Sequence, residues 1–109
     1  MANTFKNALR ANIGTTATTI YTAPAGNTSI CIELDISNLV TSTVSANVIL
    51  VDSSASNTAY IVKNVPIPTG SALQVIAGQK IVLEAGDYIQ VQSDTASSLD
   101  AVAAILEGV

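Results

Sequence analysis

The chain has 109 residues, of which 49% are hydrophobic and 11% charged, a length that fits one domain with one core. It contains no histidine, a single cysteine and four basic residues against eight acidic ones. This composition excludes an intrachain disulfide and a histidine-based catalytic or zinc site, and it disfavours a basic surface for nucleic acid.

Residues 1–13 form the first predicted element, an N-terminal arm. Phe5, Leu9 and Ile13 are spaced four apart, which places them in one apolar stripe if the segment is helical. Lys6 and Arg10 lie beside that stripe. The arm is therefore predicted to be helical or extended, and either to pack on its own domain or to bind a neighbouring subunit. In the second case these five side chains form the partner-binding site.

Residues 14–109 are predicted to form the main domain, because alternation with a period of two replaces the four-residue spacing. Pro66 and Pro68 cannot donate hydrogen bonds to a sheet and are expected at an edge or a corner. The Glu84–Asp87 segment predicts a tight turn with Gly86 at positive φ and Asp87 bonded to the turn backbone. The predicted strands are 18–23, 29–37, 43–52, 59–65, 72–76, 80–83, 88–92 and 99–106.

The third predicted strand has the clearest alternation. Its isoleucines and leucine are expected to face the core, and the residues between them to face solvent, because a shift of one residue would bury two carboxylates. The inward set is Ile30, Ile32, Leu34 and Ile36, and the outward set is Cys31, Glu33 and Asp35.

Eight short strands leave no room for crossover helices, so a parallel sheet is excluded. The predicted fold is all-β, a single antiparallel β-sandwich with a jelly-roll or simpler Greek-key order. No apolar run has the roughly 20 residues that span a bilayer, and no secretory signal is seen.

The sequence offers few groups for catalysis. Glu33 and Asp35 share a strand face, as paired acids do in glycosidases, but solvated acids are the more common case. Cys31 has no cationic neighbour in sequence that would lower its pKa, so it is interpreted as a packing residue. The serine and threonine hydroxyls have only Lys63 and Lys80 as unconventional bases. The protein is therefore predicted not to be an enzyme and to bind no small-molecule substrate.

Metal and phosphate sites are not predicted either. Asp87, Asp94 and Asp100 carry oxygens that suit Ca²⁺, yet their spacing matches no calcium loop, and turn capping is the simpler interpretation. The glycines stand singly in turns and form no phosphate loop. No cofactor is expected.

Three segments carry a resemblance to a known class of protein. They are YTAPAGNTS near the start, NVPIPTGSAL in the middle and QKIVLEAGDYIQVQSDTASSLDAVAAILEGV at the end. Together they resemble small virion structural proteins of tailed bacteriophages, over most of residues 15–109. The resemblance implies a β-sandwich building block without an active site.

The resemblance also implies a function and partners. The expected role is a capsid decoration (cement) subunit that binds the major capsid protein or another virion protein and is made in the host cytoplasm. Beside the resemblance, we hypothesise that the sandwich self-associates about a symmetry axis as a homotrimer. A neck, tail, baseplate or fibre component is the nearest alternative. A carbohydrate-binding module that uses Tyr21, Tyr60 and Tyr88, and a cytoplasmic domain of unrelated role, also remain open.

Overall fold

The computed structural model describes residues 3–108, so Met1 and Ala2 of the predicted arm, and Val109, lie outside it. These residues form eight strands. In chain order they are β1 (Thr4–Ile13), β2 (Thr18–Thr22), β3 (Ser29–Asn38), β4 (Val44–Asp52), β5 (Asn57–Ile67), β6 (Ala72–Leu83), β7 (Tyr88–Ser93) and β8 (Leu99–Glu107).

The strands form two four-stranded antiparallel sheets. Sheet A has the order β1-β8-β3-β6 and sheet B the order β2-β7-β4-β5. This is the strand order of an eight-stranded jelly roll, and it confirms the predicted all-β sandwich. Residues 3–108 contain no helix, and hence none long and apolar enough to cross a membrane.

The core lies between the two sheets and consists of branched aliphatic side chains and alanines. Every second residue of β8 points into it, and β4 and β7 alternate in the same way. The largest fully buried side chains are Ile13, Leu34, Ile36, Ile67, Ile76, Leu83, Ile89, Leu99, Ile105, Val44, Val48 and Val91.

The helix considered for the N-terminal arm is wrong, because this segment is β1, an edge strand of sheet A paired with β8. A spacing of four residues fits a strand as well as a helix, since four is an even number. Phe5 and Leu9 therefore share the outer side of the strand. Ile13 is 2% exposed and lies in the core, because the register shifts after Arg10, where Asn12 adopts a φ of 56°.

The prediction of which β3 residues face the core is correct for Leu34 and Ile36 and wrong for the residues before them. A register shift between Cys31 and Glu33 against both neighbouring strands marks a β-bulge at Ile32. Because the bulge adds one residue, Cys31 is fully buried, whereas Ile30 and Ile32 are only partly buried.

Two other predicted boundaries change. The separate strands predicted at 72–76 and 80–83 are one strand, β6, which continues through a register irregularity near Lys80. β5 extends through Pro66. It pairs with β4 alone and is an edge of sheet B, so the predicted edge position of Pro66 is confirmed.

Candidate interaction surface

The outer side of sheet A, here called the apolar face, exposes aliphatic and aromatic side chains. Among residues 3–108, six large hydrophobic residues are exposed, and four of them lie on this face. They are Phe5 (76% exposed), Leu9 (63%), Val82 (59%) and Val102 (46%). Contiguous exposed apolar surface of this kind is typical of an interaction site.

Strand register brings these residues together although they are distant in sequence. Phe5 pairs with Leu106, Leu106 with Ile30, and Ile30 with Val82, so one apolar row crosses all four strands. Leu9 pairs with Val102, four residues along each strand from the Phe5–Leu106 pair. The exposed apolar side chains of this face therefore lie in this row and in the β1–β8 half of the sheet.

Two carboxylates interrupt the apolar face on β3. Glu33 pairs with Ala104, and Asp35 pairs with Val102, so both acids have small or apolar neighbours on β8. A hydrogen bond with Asp35 and the like charge of that residue raise the pKa of Glu33. Oδ1 of Asp35 is buried and has no hydrogen-bond partner. The pair therefore combines one exposed carboxylate, that of Glu33, with one that is partly buried, that of Asp35.

The structure separates the five residues predicted to bind a partner. Phe5 and Leu9 lie on the apolar face, but Ile13 is part of the core. Nζ of Lys6 lies 3.6 Å from Oε2 of Glu107, and Nε of Arg10 donates to the backbone oxygen of Thr19 at 3.1 Å. Both cations thus have partners within the chain, so only Phe5 and Leu9 present side chains without such contacts.

Glu107 also belongs to a polar network between the sheets. The Tyr21 hydroxyl donates to Oε2 of Glu107 at 2.5 Å and lies 3.0 Å from Oγ of Ser29. Burial and the hydrogen bond to Glu107 raise the pKa of Tyr21 to about 12. Tyr21 is 8% exposed, so it serves the core and cannot stack on a sugar ring.

The outer side of sheet B, here called the polar face, has the opposite chemistry. Its amide side chains bond to one another and to the backbone: Asn47 donates to Gln92, and Gln92 donates to the carbonyl of Thr15. Gln90 donates to the hydroxyl of Thr19. This face satisfies its own polar groups, so the two outer sides of the sandwich differ sharply.

One acidic cluster, formed by Asp52, Glu84 and Asp87, lies where two turns meet. Asp87 is buried and accepts hydrogen bonds from the backbone nitrogens of Ser53 and Glu84 at 3.1 and 3.0 Å. Gly86 has a φ of 89°, so the predicted turn and the bonding of Asp87 are confirmed. The carboxylate of Asp87 therefore links the two turns.

The other predicted calcium candidates do not join this cluster. Asp94 accepts from the backbone nitrogen of Ser45, and Asp100 accepts from that of Asn12. Each thus caps a separate stretch of backbone, in agreement with the simpler interpretation of these acids.

Cys31 lies in the core and is fully buried. Burial raises the pKa of its thiol to about 11. A thiol in this state has little thiolate and no access to reagents, which supports its interpretation as a packing residue.

Sequence reasoning missed half of the apolar face. The predicted strands assign no outer side to Val82, Val102 and Leu106, because β6 and β8 are apolar on both sides. That double-sided apolar pattern is the signal that could have identified them, since an ordinary outer strand alternates with polar residues.

Comparisons with known proteins give a fold likeness. No protein-family model matches, and no curated protein sequence matches. A solved structure of Bacillus endospore appendages, described as disulfide-linked pili, matches with a TM-score of 0.57 and 13% identity over 98% of this chain and 88% of that chain. Infectious bursal disease virus, Gt strain, gives a TM-score of 0.47 and 12% identity over 98% of this chain and 30% of that chain. At such identities the first likeness shows a shared β-sandwich fold.

Proposed function

We propose that this protein is a non-enzymatic structural subunit of a tailed-bacteriophage virion that decorates the capsid shell. In this role it associates with copies of itself, which buries the apolar face, and the assembled subunits bind the major capsid protein. The homotrimer expected from the sequence stays a prediction, which a mass measurement of the assembled protein tests.

The observation that carries the proposal is the contrast between the two outer sides of the sandwich. A free monomer gains nothing from exposing Phe5, Leu9, Val82 and Val102 on one side, whereas an assembly subunit buries them. Complete burial of such a side chain is worth about 1.5–3 kcal/mol before the cost of ordering. The amide-rich polar face suits the side that stays in water.

Two further observations support a structural role. The chain has no histidine, and its one described thiol is buried, so the usual nucleophile–base pairs are not available among residues 3–108. The Bacillus endospore appendage protein, which shares the β-sandwich fold, forms pili. That likeness does not extend to a disulfide link, because Cys31 is fully buried here.

Mass spectrometry and antibody labelling of virions purified from the phage that encodes this chain test the proposal. We expect the protein on intact particles. A phage that carries Leu9→Ser should lose the protein from its particles, whereas a matched Tyr60→Ser change on the polar face should not. Particles that never contain the wild-type protein would refute the virion role.

A carbohydrate-binding module is the second candidate, because Tyr60 and Tyr88 both lie on the polar face. They are carried by β5 and β7 with β4 between them. Nζ of Lys63 lies 4.9 Å from the centre of the Tyr60 ring, which leaves less of that ring for a sugar. A glycan array separates the candidates: specific binding that Tyr60→Ala abolishes would favour the module.

A further inference from the structure

We propose that the apolar face is covered by the same face of a second copy, and that the Glu33–Asp35 pair makes this pairing favoured in acid and weak at neutral pH. The proposal rests on the proposed function for its biological setting and names the partner and the regulation of the same surface.

The size of the apolar face suits a second copy. Four strands about 4.8 Å apart and about nine residues long, at about 3.3 Å per residue, give a face of roughly 600 Å². Two such faces bury roughly 1,200 Å² in total, which reaches the lower range of stable protein interfaces. A pair of identical faces also closes by two-fold symmetry and leaves no further apolar face exposed.

Strand order makes the face complementary to itself. A two-fold axis parallel to the strands places β1 opposite β6 of the second copy, and β8 opposite β3, because the order in sheet A is β1-β8-β3-β6. Phe5 then meets Val82 of the other copy, and Leu106 meets Ile30. The apolar row is therefore buried against itself along its whole length.

The same two-fold axis determines which residues of the second copy lie opposite Glu33 and Asp35. It places Asp35 opposite Val102 of the second copy, and Glu33 opposite Ala104, neither of which can stabilise a negative charge. Pairing removes water from two carboxylates that already share a strand face, and an ionised carboxylate buried without a partner is strongly unfavourable. A protonated pair held by its own hydrogen bond avoids this cost.

The charged groups around Glu33 and Asp35 do not neutralise the two carboxylates. On β8, Asp100 accepts a hydrogen bond from Asn12, and Glu107 is engaged with Lys6 and Tyr21. On β6, Lys80 lies three residues from Ala77, the strand partner of Glu33, but the one ion pair found among residues 3–108 joins Lys6 to Glu107. The raised pKa of Glu33 in the single subunit agrees with this setting. Since pairing raises the pKa of Glu33 further, association is strongest below the pKa of Glu33 in the single subunit. It weakens as pH rises through the higher pKa that Glu33 has in the pair.

Sedimentation velocity of the full chain at micromolar concentration, at about pH 5 and about pH 7.5, tests the proposal. We expect the dimerisation constant of the wild type to be at least about tenfold tighter at the lower pH, which corresponds to a pKa rise of about half a unit in each of the two copies on pairing. The E33Q/D35N double variant should dimerise at both pH values.

Two single variants identify the surface. Val102→Ser on the apolar face and Tyr60→Ser on the polar face change residues of similar exposure, 46% and 48%. Val102→Ser should abolish the dimer, and Tyr60→Ser should leave it intact. Both keep the charge of the wild type, whose pI is about 4.2, so association caused by low net charge would persist in Val102→Ser. Circular dichroism checks that each variant is folded.

Several outcomes would overturn the proposal. They are a wild type and double variant that are monomeric at both pH values, a dimer or trimer that survives Val102→Ser, and a dimer of equal strength at both pH values. These outcomes are distinct from failure of the proposed function: a protein found on virions yet monomeric in solution refutes only the pairing, and an acid-favoured dimer absent from virions refutes only the virion role.

Discussion

The hydroxyl of Tyr21 on β2 lies 2.5 Å from Oε2 of Glu107 on β8, so a hydrogen bond joins sheet B to sheet A. Ser29 on β3 contacts the same hydroxyl at 3.0 Å. Because Tyr21 is 8% exposed, water does not readily replace these contacts when one partner is removed.

This contact makes stability depend on alkaline pH. The pKa of Tyr21 is about 12 in the folded protein against 10.0 for a free tyrosine, so the native state holds this proton more tightly than the unfolded state. The contribution is complete below pH 10 and is lost as pH rises toward 12. Tyr21→Phe should lower the free energy of unfolding by about 1–2 kcal/mol at neutral pH.

Urea unfolding of the wild type and Tyr21→Phe across this pH range measures the effect. The difference between the two proteins should be constant below pH 10 and shrink above it. A difference that does not change with pH would show that the hydroxyl keeps its proton equally in both states.

Asn38 should be the most costly amide to remove. Its Nδ2 donates to the carbonyls of Ser42 and Ile67 at 2.8 and 2.9 Å, and its Oδ1 accepts from the nitrogen of Val40 at 2.8 Å. Asn38→Ala leaves these backbone groups without partners and should cost about 2–3 kcal/mol. Asn57→Ala, at an exposed position, should change urea unfolding by less than about 0.5 kcal/mol. Equal effects would mean that the bonds of Asn38 do not stabilise the fold.

Leu9 and Ile13 should respond differently to the same substitution, although both were predicted to bind a partner. Leu9 is 63% exposed and Ile13 is 2% exposed. Leu9→Ser should change the free energy of unfolding by less than about 0.5 kcal/mol, whereas Ile13→Ser should cost about 3 kcal/mol or more. Thermal unfolding compares them, and a large loss in Leu9→Ser would show that this side chain belongs to the core.

Cys31 should react with a thiol reagent only after unfolding. Its side chain is fully buried, and burial raises its pKa to about 11. Labelling with an aromatic disulfide reagent should therefore follow the unfolding rate, while a Ser54→Cys variant in the exposed loop should react at once. Rapid labelling of native wild type, or a disulfide dimer on a non-reducing gel, would contradict the buried position.

Much of the fold could be predicted from the sequence, because the signals are local. Alternation within Val44–Asp52 and the turn chemistry around Gly86 each depend on a few adjacent residues, and their predictions are confirmed. The strand structure of β1 could not be predicted from local signals, because its spacing of apolar residues is also compatible with a helix. This segment is a strand because it pairs with the edge of β8, which is distant in sequence.

The candidate surface was harder to predict for a similar reason. The bulge at Ile32 reverses the side on which Ile30 lies, and alternation of residue types carries no trace of it. Leu9 and Val102 become neighbours only through register. Phe5 and Leu9 were therefore found from the sequence, and the residues beside them on β3, β6 and β8 were not.

The position of β8 has a consequence for how the chain folds. This strand follows the other seven in sequence, yet it lies between β1 and β3. During synthesis, sheet A must wait until the ribosome has released β8, and the half-made molecule keeps two unpaired edges where the centre of the sheet will be. We therefore expect sheet A to fold slowly and late, with these edges exposed until β8 pairs with them.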